Sequence, residues 1–165
     1  MPLPFRDRTL ATDLELLRES IRVGIAAREA GNHPFGAVLA DADGNILMTM
    51  GNAWLVDRGP GHAETNLVRE AARRYDTDFL ASCTLYSAFE PCSMCSGSIY
   101  WAGVGRVVFG VTEARLAELT GDNPENLTMA LSCRDVLNAG QRKILVEGPF
   151  PELEEEILSS HDGFW

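Results

Sequence analysis

Cysteine is scarce in this chain, with four among 165 residues, and no segment is apolar for long enough to span a bilayer. The opening "MPLPFRDRTLATDLELL" carries acids and arginines where a secretory signal needs an unbroken apolar run. These absences predict a soluble, cytoplasmic protein whose thiols stay reduced, which counts against a disulfide. Basic residues are also few: 14 Lys and Arg face 24 Asp and Glu, for a net charge of −10. Polyphosphates are held largely by Lys and Arg, so nucleic acid is not an expected partner. Nor is an anionic membrane surface. The balance points to a small, neutral or weakly charged ligand. The one basic cluster, "REAARR" from Arg69 to Arg74, reads as a solvated helix face. No internal repeat or linker divides the chain, and its length suits one domain over residues 1–165.

What is there is well patterned. Leu14, Leu17, Ile21, Gly24, Ile25 and Arg28 fall at helical spacing from Thr12 to about Ala30, with Thr12 or Asp13 as N-cap. "GNHPFG" breaks that helix. "GAVLA" and "NILMTMGN" read as two strands joined at the Asp43-Gly44 turn. A helix from about His62 to Tyr75 follows, then a buried strand "CTLYSAF", then a helix "PCSMCSGSIYWA" with Pro91 in its first turn. "RVVFGV" is the next strand. Two helical patterns, Glu113 to Leu119 and roughly Asn126 to Ala139, lead to a last strand "KILVEG" and a final helix "PELEEEILSS". A helical crossover between the last two strands makes them parallel. The expected fold is therefore α/β: a three-layer α/β/α sandwich around a mixed five-stranded sheet.

The stretch "FEPCSMC" places Cys92 and Cys95 one helical turn apart. A redox pair, a metal site and two structural core residues all fit that spacing alone. At a helix N-terminus, both sulfurs face one side and the helix dipole favours thiolates. His62 begins another predicted helix in "GHAE", with Glu64 two residues on. Two helix starts from neighbouring β-α units can converge at one sheet edge. They would bring one imidazole and two thiolates together with a fourth position open, as in a catalytic zinc site. Solvent in that position would have its pKa lowered to about 7. Glu64 is then the acid that does not bind the metal. Cys83 and Cys133 lack ligand spacing and read as buried small hydrophobes. His33 reads as a surface or loop histidine, and His161 as a solvated one.

The pattern H-A-E…P-C-x-x-C is the signature of zinc deaminases. From "HPFGAVLAD" through "GN" and "GHAE" to "TLYSAFEPCSMCSGSIYWAGVGRVVFGV", the chain resembles the cytidine-deaminase-like superfamily. It is most similar to the branch of guanine deaminases, small zinc cytosine deaminases and tRNA adenosine deaminases. The resemblance implies one zinc ion per subunit, held by His62, Cys92 and Cys95. It implies that Glu64 carries a proton from solvent to a ring nitrogen and then to the departing amine, so that ammonia leaves. The backbone N–H of Ala63 would bind a substrate carbonyl or ring atom. Asn52 matches an asparagine that binds the base or sugar; as a plain turn residue it would cap a strand end. Phe35 would form a pocket wall or simply core. Glu90 of "EPC" would order its loop or approach substrate, and ordering is the favoured reading.

Substrate is less sharply marked. "SIYWAGV", with Trp101, is closest to guanine deaminases, and a guanine-like free base is the first expectation. Cytosine, isocytosine, a modified purine or an s-triazine are the others. Phe164 and Trp165 would stack on a flat heterocycle as a C-terminal lid, or pack as a surface tail. Asp122 is a further candidate pocket residue. Thr65-Asn66-Leu67 after "HAE" departs from the family's apolar residue and alanine. The alternatives are a tRNA-specific adenosine deaminase and, from another class, a non-catalytic zinc-stabilised binding module. The resemblance also implies a homodimer acting on a small heterocyclic amine and water.

Overall fold

The computed structural model describes residues 9–165; the first eight residues, part of the N-terminal stretch discussed above, lie outside it. Helix α1 (Leu10–Glu29) leads into strands β1 (Gly36–Ala40) and β2 (Ile46–Gly51). Helices α2 (Trp54–Asp57), α3 (Ala63–Arg74) and α4 (Thr77–Leu80) precede strand β3 (Thr84–Phe89). Then come α5 (Ser93–Ala102), β4 (Arg106–Val111), α6 (Glu113–Thr120), α7 (Cys133–Asn138), β5 (Leu145–Glu147) and, after a 3₁₀ turn at Pro151–Leu153, α8 (Glu154–Ser159). The sheet order is β2-β1-β3-β4-β5. β1 runs antiparallel to both β2 and β3, whereas β3, β4 and β5 are parallel. This is the expected mixed sheet with its last two strands parallel.

Alternation along the strands sorts side chains into two apolar layers. Ala37, Leu39, Leu85, Val107 and Phe109 pack with Leu67, Val68 and Ala71 of α3, Ile99 of α5 and Leu137 of α7. Val38, Ala40, Tyr86 and Val108 pack with Leu16, Leu17 and Ile21 of α1, Leu116 of α6 and Ile157 of α8. Strands buried on both faces are what a helix-covered parallel sheet requires. Cys83 and Cys133 are fully buried, as expected. Gly36 lets α1 come close to the sheet, because a Cβ there would sit 2.4 Å from the Ser20 carbonyl oxygen. Arg106 of β4 ties the layers together. It binds Asp13 of α1 at 2.6 Å and Glu147 of β5, while the Tyr86 hydroxyl of β3 donates to Asp13 at 2.8 Å.

Several boundaries differ from the sequence reading. Thr9, not Thr12 or Asp13, caps α1: its hydroxyl accepts from the Thr12 amide, and Asp13 is buried against Arg106 instead. Pro91 lies outside α5, whose N-cap is Cys92. The helix expected from Asn126 starts only at Cys133, where Ser132 accepts from the Asp135 amide; residues 126–132 form a loop. The four-residue helices α2 and α4 are additional.

Candidate active site

His62 is the N-cap residue of α3 and Cys92 that of α5, and neither side chain caps its helix. The imidazole and the thiol are left free to meet. His62 Nδ1 lies 3.4 Å from Cys92 Sγ and 3.5 Å from Cys95 Sγ, and the three ligand atoms are all within 4.8 Å of one another. A tetrahedral zinc ion, with Zn–S about 2.3 Å and Zn–N about 2.0–2.1 Å, separates nitrogen from sulfur by about 3.5 Å. The residues present therefore fit the ion. Three protein ligands leave a fourth position for solvent or substrate.

The protonation of the cluster also favours a cation. Cys92 is drawn well below the ordinary thiol range, to about 4, by the hydrogen bond with Cys95; burial opposes this and His62 assists. Cys95 goes the other way, pushed up by burial, by Cys92 and by the Glu64 charge. Burial pulls His62 down, but the Cys92 hydrogen bond and the Glu64 charge outweigh it and raise the imidazole overall. Two adjacent sulfurs thus share one negative charge until a metal ion displaces the remaining proton.

Glu64 sits beside this set, not in it. Ser87 of β3 donates to its Oε1 at 2.7 Å, and its Oε2 lies 3.3 Å from Cys95 Sγ. Thr65, one of the departures from the family pattern, donates its hydroxyl to Cys95 Sγ at 3.2 Å. Asn66, the next departure, ties α3 to α2 through Asp57 at 3.1 Å. Glu90 orders the loop, as favoured: its two oxygens accept from the backbone amides of Glu113 and Cys133 at 2.9 and 2.8 Å.

A small cavity joins His62, Glu64, Glu90 and Cys92 with Phe35, Asn52, Glu113, Leu116 and Asn126. Asn52 Oδ1 accepts from the His33 and Trp54 amides at 3.2 and 2.9 Å. Its amide NH₂ has no partner among the described residues and stays available to the cavity. The Oδ1 end thus acts as the turn residue of the plain reading, while the NH₂ end carries no contact among the described residues. Phe35 packs edge-on against Phe89 and forms part of the cavity wall. Ala63 is fully buried as the first residue of α3, with its amide in the first turn.

Other expected contacts fall elsewhere. Trp101 is 78% exposed and lines a separate groove between α3 and α5 with Val68, Arg69 and Ala72. Asp122 is exposed and does not line the cavity; Asn126 of the same loop does. Phe164 and Trp165 pack against His33, and Trp165 tilts against Phe35, so the tail backs the wall rather than entering the cavity. His33 lies in a loop, but it is buried under this tail rather than at the surface, and His161, read as solvated, is buried as well. His33 stacks on Trp54 with centroids 4.5 Å apart, and its Nε2 lies 3.6 Å from Glu125. His161 is only 2% exposed; its Nδ1 accepts from Trp165 Nε1 at 2.8 Å and its Nε2 donates to the Pro34 carbonyl at 2.9 Å. Sequence reasoning missed Ser87, Thr65 and Glu113. Burial, then the neighbouring Cys92, Glu64 and Glu90 charges, push the Glu113 carboxyl up to about 8, with His62 opposing.

An α/β/α frame that brings an imidazole, two thiols and an unligated buried carboxylate together at two helix starts defines a zinc hydrolase of the deaminase type. The chain belongs to the family of the cytidine and deoxycytidylate deaminase zinc-binding region, whose model matches residues 10–111. It is 40% identical over 154 residues to a probable cytosine deaminase of Schizosaccharomyces pombe, covering 93% of this chain and 92% of that one. It is 34% identical over 102 residues to a tRNA-specific adenosine deaminase of Haemophilus influenzae, covering 61% of this chain and 59% of the relative. Among solved structures, a guanine deaminase of Nitrosomonas europaea superposes with a TM-score of 0.67 at 24% identity, over 97% of this chain and 91% of that one. That likeness bears on the fold. No described helix is long and apolar enough to cross a membrane.

Proposed function

We propose that this chain hydrolyses the exocyclic amine from a neutral free nucleobase or a related aminated heterocycle. The observation that carries the reading is the buried Glu64 carboxylate, held by Ser87 beside the His62–Cys92–Cys95 cluster, at a cavity whose described lining contains no Lys or Arg. The adjoining groove, lined by Gly59, Met94, Glu125, Leu127 and Met129 among others, also lacks Lys and Arg. A phosphate would meet no Lys or Arg in either lining and would lie among the carboxyls of Glu64, Glu90, Glu113 and Glu125. Nucleotides and polynucleotides are disfavoured on that ground, and the whole-length likeness to a probable cytosine deaminase supports a free base. The similarity to a tRNA-specific deaminase supports the alternative, which the lack of Lys and Arg in the lining weighs against. Guanine-like purines remain the first expectation from "SIYWAGV", with cytosine beside them.

His62, Cys92 and Cys95 would hold zinc, which when bound supplies a Lewis acid that lowers the pKa of water to about 7. Glu64 Oε2 receives a proton from the attacking water and passes it to the ring nitrogen, then to the amine. A C–O bond forms at the amino-bearing carbon, the C–N bond breaks, and ammonia leaves. Ser87 keeps Oε1 engaged, so that Oε2 faces the reacting atoms. The Asn52 NH₂ and the Ala63 amide donate to a substrate carbonyl or ring nitrogen, and Phe35 lies along the ring. We extend the proposal to a homodimer, supported by the exposed Trp101 in the α3–α5 groove.

Ammonia release from a panel of guanine, cytosine, isocytosine, amino-s-triazines, their nucleosides and an anticodon stem-loop tests the reading. At least one free base is consumed, and the stem-loop yields no inosine at the same enzyme level. Glu64→Gln lowers kcat by about 10²–10⁴-fold with zinc content unchanged. Zinc-loaded protein that turns over none of the bases, or an unchanged function in Glu64→Gln, would overturn it in favour of a binding module.

A further inference from the structure

Glu113 opens α6 directly after β4, and Thr112 caps that helix. The Glu113 amide is fixed by Glu90 Oε1 at 2.9 Å, so the position of the residue is set by the same carboxylate that orders the cysteine loop. Its own carboxyl is a different matter. The residue is only 8% exposed, lines the cavity alongside Glu64 and Cys92, and also lines the adjoining groove. Its carboxyl has neither a hydrogen-bond partner nor an ion-pair partner among the described residues. Its oxygens are not sealed off but open onto the cavity, so a substrate that fills the cavity displaces their water and must supply a partner in its place. Glu90, also in the cavity lining, shows the contrast, with both oxygens occupied by backbone amides.

We infer that Glu113 is a specificity residue whose missing partner is a ring N–H or second amino group of the substrate, which makes it the selector for unsubstituted free bases over N-substituted ones. The inference rests on the reading of the site as that of a base deaminase. Whether ionised or protonated, a carboxyl keeps an acceptor oxygen, so the contact does not depend on its charge state. A free base presents an N–H at the nitrogen where a nucleoside carries its sugar. Substitution there removes the donor and leaves the acceptor unpaired once the substrate has displaced its water, and sites built to hydrogen-bond a substrate reject such analogues strongly.

The experiment uses matched pairs, cytosine with 1-methylcytosine and guanine with 9-methylguanine, on zinc-loaded protein. Kinetics are run with Glu113→Gln, which keeps an acceptor oxygen, and with Glu113→Met, which keeps the side-chain length but has none. Calorimetric binding of the same pairs is measured in the Glu64→Gln background, so that the readout does not require turnover. The wild type prefers the unmethylated member of the pair it uses. Glu113→Met loses about 10–100-fold in affinity for that member, largely in KM, with little change for its methylated partner and none in zinc content. Glu113→Gln retains most of the preference. If the wild type consumes bases but Glu113→Met leaves the ratio unchanged, this inference alone falls. If the wild type neither binds nor consumes any base, the deaminase reading falls and takes this one with it.

Discussion

Ser87 shows how a single hydroxyl fixes a buried carboxylate, the one proposed to carry the proton. It is buried on β3, 23 positions along the chain from Glu64, and its 2.7 Å hydrogen bond occupies the carboxylate oxygen that faces away from Cys95. Without it, Glu64 is free to rotate, and the oxygen beside the cluster is no longer fixed. Ser87→Ala is therefore expected to lower kcat about tenfold, the equivalent of about 1.4 kcal/mol, with zinc stoichiometry unchanged and KM little affected. Steady-state kinetics alongside metal analysis would check this; an unaltered kcat would remove Ser87 from the machinery. The same residue marks the limit of reading from sequence. His62, Glu64, Cys92 and Cys95 were legible because each pair sits two or three positions apart at a helix start. Ser87 and Glu113 were not, because sheet pairing and the β4–α6 junction bring them to the site, and no local spacing records that. Thr65 looked like a mere departure until its hydroxyl was found on the Cys95 sulfur.

At the scale of elements, the strands were the most legible, because alternation and the Asp43-Gly44 turn leave strong local signals. Four-residue helices span little more than one turn and leave no period, so α2 and α4 escaped notice. Residues 126–132 carry apolar side chains that suggest a helix, yet Leu127, Met129 and Leu131 are exposed and the chain is capped into α7 only at Ser132. The C-terminal segment was the hardest to foresee, because its meaning lies in a docking partner more than 100 positions away: His161 reaches Pro34. Burial holds the His161 imidazole down at about 4; the Pro34 carbonyl opposes this, and the Arg28 and His33 charges add to it. A histidine with a depressed folded pKa stays neutral in the native state while the unfolded chain takes up a proton below about 6.5. Stability is thus fully present above that value and is lost as pH falls from about 6.5 toward 4, by up to about 3 kcal/mol. Protonation would also replace the Nδ1 acceptor of Trp165 with a second donor. Urea midpoints at pH 7 and 4.5 should fall less steeply for His161→Gln than for the wild type. Equal slopes would show that the tail does not depend on a neutral imidazole.

For the whole molecule, the question is why the α3–α5 face exposes an indole. Trp101 is 78% accessible, and the groove beside it is lined by Val68, Ala72 and Ala102 with Thr65, Arg69 and Ser98 as its polar members. A largely apolar groove around an exposed tryptophan is the composition of an interface core, where aromatic residues carry much of the binding energy. The groove is also coupled to the chemistry. Thr65 contributes to its lining and donates to the Cys95 sulfur, so a second copy seated there would press on a residue that touches the His62–Cys92–Cys95 cluster. A chain with a net charge of −10 repels its copy at long range, and short-range apolar contact must overcome that repulsion. Raising the ionic strength from low to about 0.15 M shortens the Debye length to about 8 Å and should strengthen association. Sedimentation velocity should show a dimer that tightens with salt. Trp101→Glu should give a monomer that keeps its zinc and its circular dichroism but loses activity, because no second copy then packs on Thr65, whose hydroxyl holds the Cys95 sulfur. A wild-type chain that sediments as a monomer at every salt concentration, yet turns over substrate at full rate, would show that the site is complete within one subunit and that the indole serves another purpose.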